Sequence, residues 1–420
     1  MNNAFPSSRP PPFSDQRDVL LKDELLAGPS SLFNPTRARF EHTPKASDVK
    51  GSASGLPDHP GADVPNEAQF QWRSRDNRKG NESPFQTSTA ALTALLGRHT
   101  LVVPTDNAAQ GLPAPTSSSR AIANGIGRMF STFPWWDVSF LVAFFFSVGS
   151  VVFIVCGFFY WLPLAAPSTD FPHESATAGG ITSFIGGTLF EIGAVFLVIE
   201  ATNENQTGCF GWELEHVVSE HEKSGKASVR YKPEKSACGH HHSGNRGFLR
   251  GALGSKGSQR RWEWWPTWHE LRTHYLREIG FLGSFAEFVG ATVFYINTIL
   301  ALPGVYSSLS QGVIWGLYWL TYLVGGGLFI VSSALYMLET QPNWYTPAPH
   351  VLGWWVGVWN MIGSVGWTLA AALGYCDLSG CQYQSNLTLI WASIAFLIGS
   401  LILWFEALDK YPVEKEGHKS

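Results

Sequence analysis

Residues Thr182–Thr202 read TSFIGGTLFEIGAVFLVIEAT, and this apolar stretch decides the fold. It contains Ile192-Gly193-Ala194, followed by five mainly apolar residues and then Glu200. The same order of a β-branched residue, two small residues, five mainly apolar residues and a glutamate returns at 331–339 and 398–406. Three copies with one internal spacing predict an internal repeat.

Long apolar segments recur in those parts of the chain that carry no lysine or arginine. Charged residues make up only 15% of the chain, against about 25% in soluble domains. A helix needs about 20 apolar residues to cross about 30 Å of hydrocarbon. Six segments meet this length, at 138–162, 179–200, 279–302, 313–338, 351–375 and 387–408.

A second pattern is shared by the first, third and fifth segments. It reads Val148-Gly149-Ser150 in the first, Val289-Gly290-Ala291 in the third and Ile362-Gly363-Ser364 in the fifth. Odd and even segments therefore carry different signatures, and the repeating unit is a pair of helices. The predicted fold class is all-α, a polytopic membrane protein with six transmembrane helices as three tandem helix hairpins.

The positions of the basic residues predict the orientation. Of the 29 lysines and arginines, 14 lie in 1–128, 12 in 223–277 and three after 409. Since cytosolic segments of membrane proteins are enriched in basic residues, both termini and the long loop are predicted to be cytosolic. The short crossings at 163–178, 303–312 and 376–386 then face outward or into a lumen.

The predicted organisation follows from these boundaries. Thr267 and Glu270 have the spacing of a capping box, which predicts the start of a helix in the membrane interface. Low apolar content predicts a largely disordered N-terminal arm. The predicted segments are a disordered cytosolic arm at 1–133, hairpins at 134–200, 279–340 and 341–408, a loop at 201–278 with an interfacial helix near 267–278, and a tail at 409–420.

Two carboxylates fall inside the predicted spans, where a charged group is costly and often functional. These are Glu191 and Glu287, and Asn360 occupies in the fifth span the position of Glu287 in the third. The three are a candidate polar layer that would bind a proton, a cation or a polar solute. The structural alternative is that a protonated glutamate hydrogen-bonds a neighbouring helix.

Glu200, Glu339 and Glu406 each end an even span. A triplicated acid at one membrane boundary is a candidate acidic ring that attracts cations to a mouth. The helix dipole disfavours negative charge at this end, so contact with the basic loop or with lipid headgroups is the alternative.

The cysteines and histidines do not predict a metal site. Cys209, Cys238 and the run His240–His242 fit no recognised spacing for four zinc ligands. Cys376 and Cys381 lie in a predicted outward crossing, where either a disulfide or two free thiols are compatible with the sequence. No phosphate-binding loop or hydrolase motif is present, so neither an enzyme nor a cofactor is predicted.

The stretch Trp264-Trp265-Pro266-Thr267-Trp268-His269-Glu270-Leu271, continuing through Gly290-Ala291-Thr292-Val293-Phe294, resembles a group of uncharacterised fungal multi-spanning integral membrane proteins. The hairpins with small residues are similar to the YrhK-like domain, a two-helix membrane unit. Neither resemblance implies a catalytic residue. The first implies that an uncharged amide often occupies the position of Glu287, which argues against an essential carboxylate there.

The sequence therefore predicts a non-enzymatic integral membrane protein. One interpretation is a channel or transporter of a small solute or ion that uses the polar layer. The alternative is a membrane-anchored scaffold or sensor whose cytosolic arm and loop bind protein partners. The lipid bilayer is the predicted partner, and a mixed net charge of -4 gives no reason to expect nucleic acid.

Overall fold

The computed structural model describes residues 26–40, 69–80, 100–103, 118–204, 206–211, 213–214, 262–408 and 413–415. The chain divides into two compact units. The first comprises Met1–Thr132, Asn203–Trp262 and Asp409–Ser420, and the second comprises Phe133–Thr202 and Glu263–Leu408.

The first unit contains a small sheet assembled from distant parts of the chain. Its strands follow in the order β1 to β5: Leu26–Ala27, Arg37–Phe40, Gln69–Arg73, Thr100–Val103 and Val413–Lys415. The first three pairings are antiparallel, and β5 pairs with β4 in parallel. The C-terminal tail thus completes a sheet that the N-terminal arm begins.

The first unit also contains helices. Helix α1, Ser74–Lys79, follows β3 directly and ends at Gly80, whose positive φ of 69° closes the last turn. The Asn77 side chain donates to Glu204 over 2.8 Å, so α1 is tied to the start of the long loop. Helix α2 spans Ser119–Ser131, and its N-cap Ser118 accepts from the backbone of Ala121.

The arm at 1–133, predicted to be largely disordered, carries secondary structure in its described parts. β1 to β4, α1 and α2 all lie in it. The strands are two to five residues long, so local composition gives little signal for them. Pairing with distant segments stabilises them instead. The remaining residues of the arm lie outside the described residues.

The second unit holds the six helices that are long and apolar enough to cross a membrane. It also holds α5, a short helix before the third span. Its α-helices of six or more residues are α3, Val138–Ala165; α4, Gly180–Thr202; α5, Trp268–Thr273; α6, Ile279–Leu300; α7, Leu320–Thr340; α8, Leu352–Gly374; and α9, Ser379–Leu408.

The six spanning helices α3, α4, α6, α7, α8 and α9 form a closed ring. Each packs against the next along the chain, and α9 returns to α3. At this closure the Asn386 side chain donates to the Tyr160 carbonyl over 3.0 Å, and a methyl group added at Gly157 would lie 2.6 Å from Ile390. The predicted six spanning helices and three tandem hairpins are confirmed.

The ring has two ends. The crossing end carries the three short connections within the hairpins, and the terminal end is where odd spans begin and even spans finish. At the terminal end, the Asp137 side chain caps α3 by accepting from Ser139 N over 2.9 Å. Phe133 and Trp135 pack edge-on against Phe140 there.

The crossing end has two features that the spans alone do not predict. Wide π-helical turns, Glu174–Gly179 and Ile314–Trp319, precede α4 and α7. Cys376 and Cys381 form a disulfide that joins the end of α8 to the first turn of α9. Helix α9 begins at Ser379 rather than at 387, because its first two turns are polar and continue beyond the apolar stretch.

The helix predicted to lie in the membrane interface near 267–278 is shorter than predicted. The capping box of Thr267 and Glu270 is formed, but α5 ends at Thr273. A single 3-10 turn, Tyr275–Arg277, then leads into α6. The Tyr275 hydroxyl donates to the Thr202 carbonyl over 3.0 Å, so this turn anchors the third span to the end of the second.

Candidate functional site

Six aromatic side chains meet inside the ring, one from each spanning helix. We call them the aromatic plug: Phe153, Phe190, Phe294, Phe329, Trp367 and Phe396. All six are buried, at 3% exposure or less. Trp367 lies at the centre, with ring centroids 4.8 Å from Phe153, 4.8 Å from Phe294 and 4.7 Å from Phe396.

The plug lies near the middle of the spans. Phe153, Phe294 and Trp367 each follow the first residue of their helix by 15 positions, which is about 22 Å along an α-helix. Because the three aromatic residues from even spans pack against them, the plug closes the ring about halfway through the bundle.

The repeated glycines create the space for the plug. Gly149, Gly290 and Gly363 stand four positions before the aromatic residue of their own span. A methyl group added at Gly149 would lie 2.7 Å from the Phe190 ring, and one at Gly363 would lie 2.7 Å from the Phe396 ring. Each hairpin thus makes the same contact, in which an odd-span glycine receives an even-span phenylalanine.

A layer of small buried residues lies one turn from the plug, on the side of the terminal end. It consists of Ser150, Ala194, Ala291, Ser333, Ser364 and Ser400. The hydroxyls of Ser333 and Ser364 lie 3.3 Å apart and join the second hairpin to the third. Ser150 and Ser400 donate to carbonyls of their own helices, so the backbone satisfies the hydrogen bonding of these two hydroxyls.

The predicted polar layer is divided between different helix interfaces. Glu287 is buried at 8% exposure in α6, and Ser332 of α7 lies beside it in the same hairpin. Asn360 lies against Gly399, where a methyl group would be 2.5 Å from its Oδ1. Both face the other helix of their own hairpin.

Glu191 lies between the first and second hairpins. It is half-buried, and the Thr292 hydroxyl of α6 donates to its Oε1 over 2.9 Å. Among the described residues, no hydrogen bond or ion pair joins any two of Glu191, Glu287 and Asn360. That the three act as one layer stays a prediction.

The three glutamates of the predicted acidic ring are buried at the terminal end. Their exposed fractions are 0% for Glu200, 2% for Glu339 and 9% for Glu406. The Ser139 hydroxyl of α3 donates to Glu200 over 3.1 Å. Burial against neighbouring helices is a structural role, and the formation of a cation-attracting ring by the three acids stays a prediction.

On the other side of the plug, toward the crossing end, lies a polar cluster that the sequence did not reveal. Its members are Cys156, Tyr160, Asn297, Tyr318 and Tyr322. The Asn297 side chain donates to the Tyr318 carbonyl over 3.0 Å, and Cys156 donates to the Gly179 carbonyl over 3.4 Å. Both carbonyls belong to the π-helical turns.

Tyr322 connects this cluster to the plug. Its ring packs edge-on against Phe294 at 5.1 Å. Its hydroxyl is buried and has no hydrogen-bond partner among the described residues. The sequence does carry a signal for this cluster in the helical spacing of its members from the plug. Cys156 and Tyr160 follow Phe153 by three and seven positions, and Asn297 follows Phe294 by three.

Of the cysteines and histidines considered as metal ligands, the described residues include Cys209 alone. Cys209 is buried in the first unit. Cys238 and His240–His242 lie outside the described residues. No family model, curated protein or solved structure matches this chain.

Proposed function

We propose that this chain is a non-enzymatic membrane scaffold, whose sealed six-helix bundle holds the arm, the loop and the tail at a membrane surface for protein partners. The aromatic plug is the observation that carries this proposal. Six rings fill the centre of the ring, and each has plug neighbours at centroid distances of about 4.7–6.2 Å.

The contacts around the plug support a closed bundle. The glycines beside it leave no space for even one methyl group at Gly149 or Gly363. A hydrophobic constriction excludes water and ions without a charged barrier. Opening a path through the centre would therefore require several buried rings to leave their packing positions together.

The proposal also covers the orientation of the chain in the membrane and the origin of its helix bundle. In this proposal both termini and the long loop are cytosolic, and the concentration of basic residues in these segments supports that orientation through the positive-inside tendency. The corresponding contacts of Gly149 with Phe190, Gly290 with Phe329 and Gly363 with Phe396 support an origin of the bundle in three repeated hairpins. A relationship to uncharacterised fungal multi-spanning membrane proteins is also part of this proposal.

A flux measurement tests the scaffold directly. The full chain is reconstituted in liposomes, and movement of protons, potassium ions and a small neutral polyol is compared with protein-free liposomes. The scaffold predicts equal flux in both. Trp367→Ala, which removes the central ring of the plug, is the matched positive control. It is expected to raise leakage, provided that the variant stays folded.

A second candidate function is transport of a small solute or ion. Its support is the buried Glu287 on one side of the plug and the Tyr322 and Asn297 cluster on the other. In that case the plug would be a gate between two polar half-chambers. Flux by the wild type that falls in both Glu191→Gln and Glu287→Gln would favour transport and reject the sealed scaffold.

A further inference from the structure

Helix α2, Ser119–Ser131, has one apolar face and one polar face. Successive residues lie about 100° apart around an α-helix. With this spacing the larger apolar side chains share one face of α2: Ile122, Ile126, Met129 and Phe130. The opposite face carries polar or small residues: Arg120, Asn124, Gly127, Arg128 and Ser131. The helix is therefore amphipathic along its whole length.

The apolar face of α2 is exposed. Ile122 is 42% exposed, Ile126 48% and Phe130 80%. Single exposed apolar residues are common on protein surfaces, but a contiguous set along one helix face is typical of an interaction surface. The apolar face therefore calls for a partner that covers it.

A short link of six residues, 132–137, connects α2 to the first spanning helix, α3. Backbone turns fold this link, in which Trp135 N donates to the Phe133 carbonyl and Asp137 N donates to the Pro134 carbonyl, each over 2.9 Å. Even fully extended, a link of this length would reach only about 25 Å. The C-terminal end of α2 therefore stays close to the membrane that α3 enters.

Exposed tryptophans mark the level of the lipid headgroups at the terminal end. Trp135 in the link is 43% exposed, Trp268 in α5 is 70% exposed, and Trp344 after α7 is 71% exposed. Indole rings favour the boundary between hydrocarbon and water. The link therefore leaves the first span at one surface of the bilayer, and α2 precedes it directly.

The charges around α2 match a lipid surface. From Asn107 to Trp136 the chain has no aspartate or glutamate, whereas Arg120 and Arg128 lie on the polar face of α2. Helices that lie in a membrane surface combine basic residues on one face with aliphatic and aromatic residues on the other. A groove on a protein would also cover an apolar face, but the bilayer is the partner that the short link holds beside α2.

We propose that α2 docks on the surface of the bilayer that the bundle crosses, in the leaflet at the terminal end. Ile122, Ile126 and Phe130 enter the boundary between headgroups and acyl chains, and the two arginines extend toward the lipid phosphates. The arm is thereby attached to the membrane at a second point beside the first span. This inference requires only that the spanning helices cross a bilayer, so it applies to a scaffold and to a transporter alike.

Fluorescent labelling tests which face of α2 meets lipid. Ile126→Cys and Asn124→Cys lie two positions apart and therefore on opposite faces. Each is labelled with an environment-sensitive NBD fluorophore in the full chain, with Cys156, Cys209 and Cys238 replaced by serine. In vesicles whose lipids carry a nitroxide near the headgroup, we expect blue-shifted, quenched emission at 126 and the emission of a water-exposed label at 124. Equal emission and quenching at the two positions would overturn the proposal.

Substitutions on the two faces test the source of the docking. The ratio of lipid-inserted to water-exposed label at 126 is measured by quenching with aqueous iodide. Phe130→Ala removes the most exposed apolar side chain of α2 and is expected to lower this ratio roughly tenfold. Gly127→Ala is the matched control on the polar face, with no atom within 4 Å of the added methyl group, and should not lower it. An unchanged ratio in Phe130→Ala would contradict the docking.

The amount of protein in the vesicles distinguishes lipid from a second copy of the chain. If the bilayer covers the apolar face, the ratio at 126 stays constant as the protein-to-lipid ratio falls. If a second copy covers it, the label becomes water-exposed on dilution in lipid, because association depends on protein concentration. Loss of the inserted signal on dilution would therefore overturn the proposal.

Discussion

Gly363→Ala tests the packing of the plug with the smallest possible change. The added methyl group would lie 2.7, 2.8 and 2.9 Å from three atoms of the Phe396 ring. That ring has little room to move, because it is 3% exposed and lies against Trp367, Phe190 and Phe329.

The expected magnitude follows from this confinement. Excess volume in a packed core costs about 1–3 kcal/mol, so the free energy of unfolding should fall by that amount. Gly327→Ala is the matched control, since it lies in a spanning helix with no atom within 4 Å of the added group. Replacing a helical glycine by alanine without a clash should be neutral or stabilise by up to about 1 kcal/mol.

Reversible unfolding in bicelles, followed by tryptophan fluorescence, measures both variants against the wild type. We expect Gly363→Ala to unfold at lower denaturant concentration and Gly327→Ala at the same or higher concentration. If Gly363→Ala were at least as stable as Gly327→Ala, the close packing of the plug would be refuted.

Two further predictions concern stability. Tyr336→Phe removes a buried hydroxyl that lies 2.8 Å from Ser284 Oγ and should lower the free energy of unfolding by about 0.6–1.7 kcal/mol. Tyr322→Phe removes a buried hydroxyl without a partner among the described residues and should leave the stability unchanged or raise it. The same unfolding assay compares the two variants, and equal losses of stability would contradict this assignment. Cys381→Ser opens the disulfide with Cys376 and should cost about 2 kcal/mol for so short a loop. Maleimide labelling of the wild type with and without reductant provides the check, and labelling at Cys376 or Cys381 before reduction would contradict the disulfide.

The spanning helices could be predicted from the sequence because the bilayer imposes a length and a composition on each of them. The hairpins were also predictable, since odd and even spans carry different signatures. The sheet of the first unit was not, because β5 at 413–415 pairs with β4 at 100–103. Short strands that pair over such a distance leave no periodic signal in either segment.

The candidate site was harder to predict than the fold. The repeated glycines and glutamates could be identified from the sequence because they differ from their apolar surroundings. Phe190, Phe329 and Phe396 recur at a fixed position, two residues before the even-span signature, but other phenylalanines of the spans, such as Phe158 and Phe285, are exposed. Only the closure of the ring shows that these three point to one centre.

The positions of Glu191 and Glu287 could also be predicted only in part. Helical spacing gave the depth of each carboxylate but not the direction in which it points. Glu287 is buried at 8% exposure beside Ser332 of its own hairpin, whereas Glu191 is half-buried against the next hairpin. Which neighbour a helix meets around the ring depends on how all six helices pack together.

The central claim is that the six helices close a ring around the plug, and cross-linking of the first span to the last tests it most directly. Gly157→Cys and Ile390→Cys are combined with serine at Cys156 and Cys209, and the long loop is cut by protease after oxidation. The account predicts that the two fragments stay joined until reductant is added, because residues 157 and 390 are in contact. Fragments that separate without reductant, while the Cys376–Cys381 disulfide forms normally, would contradict the closed ring.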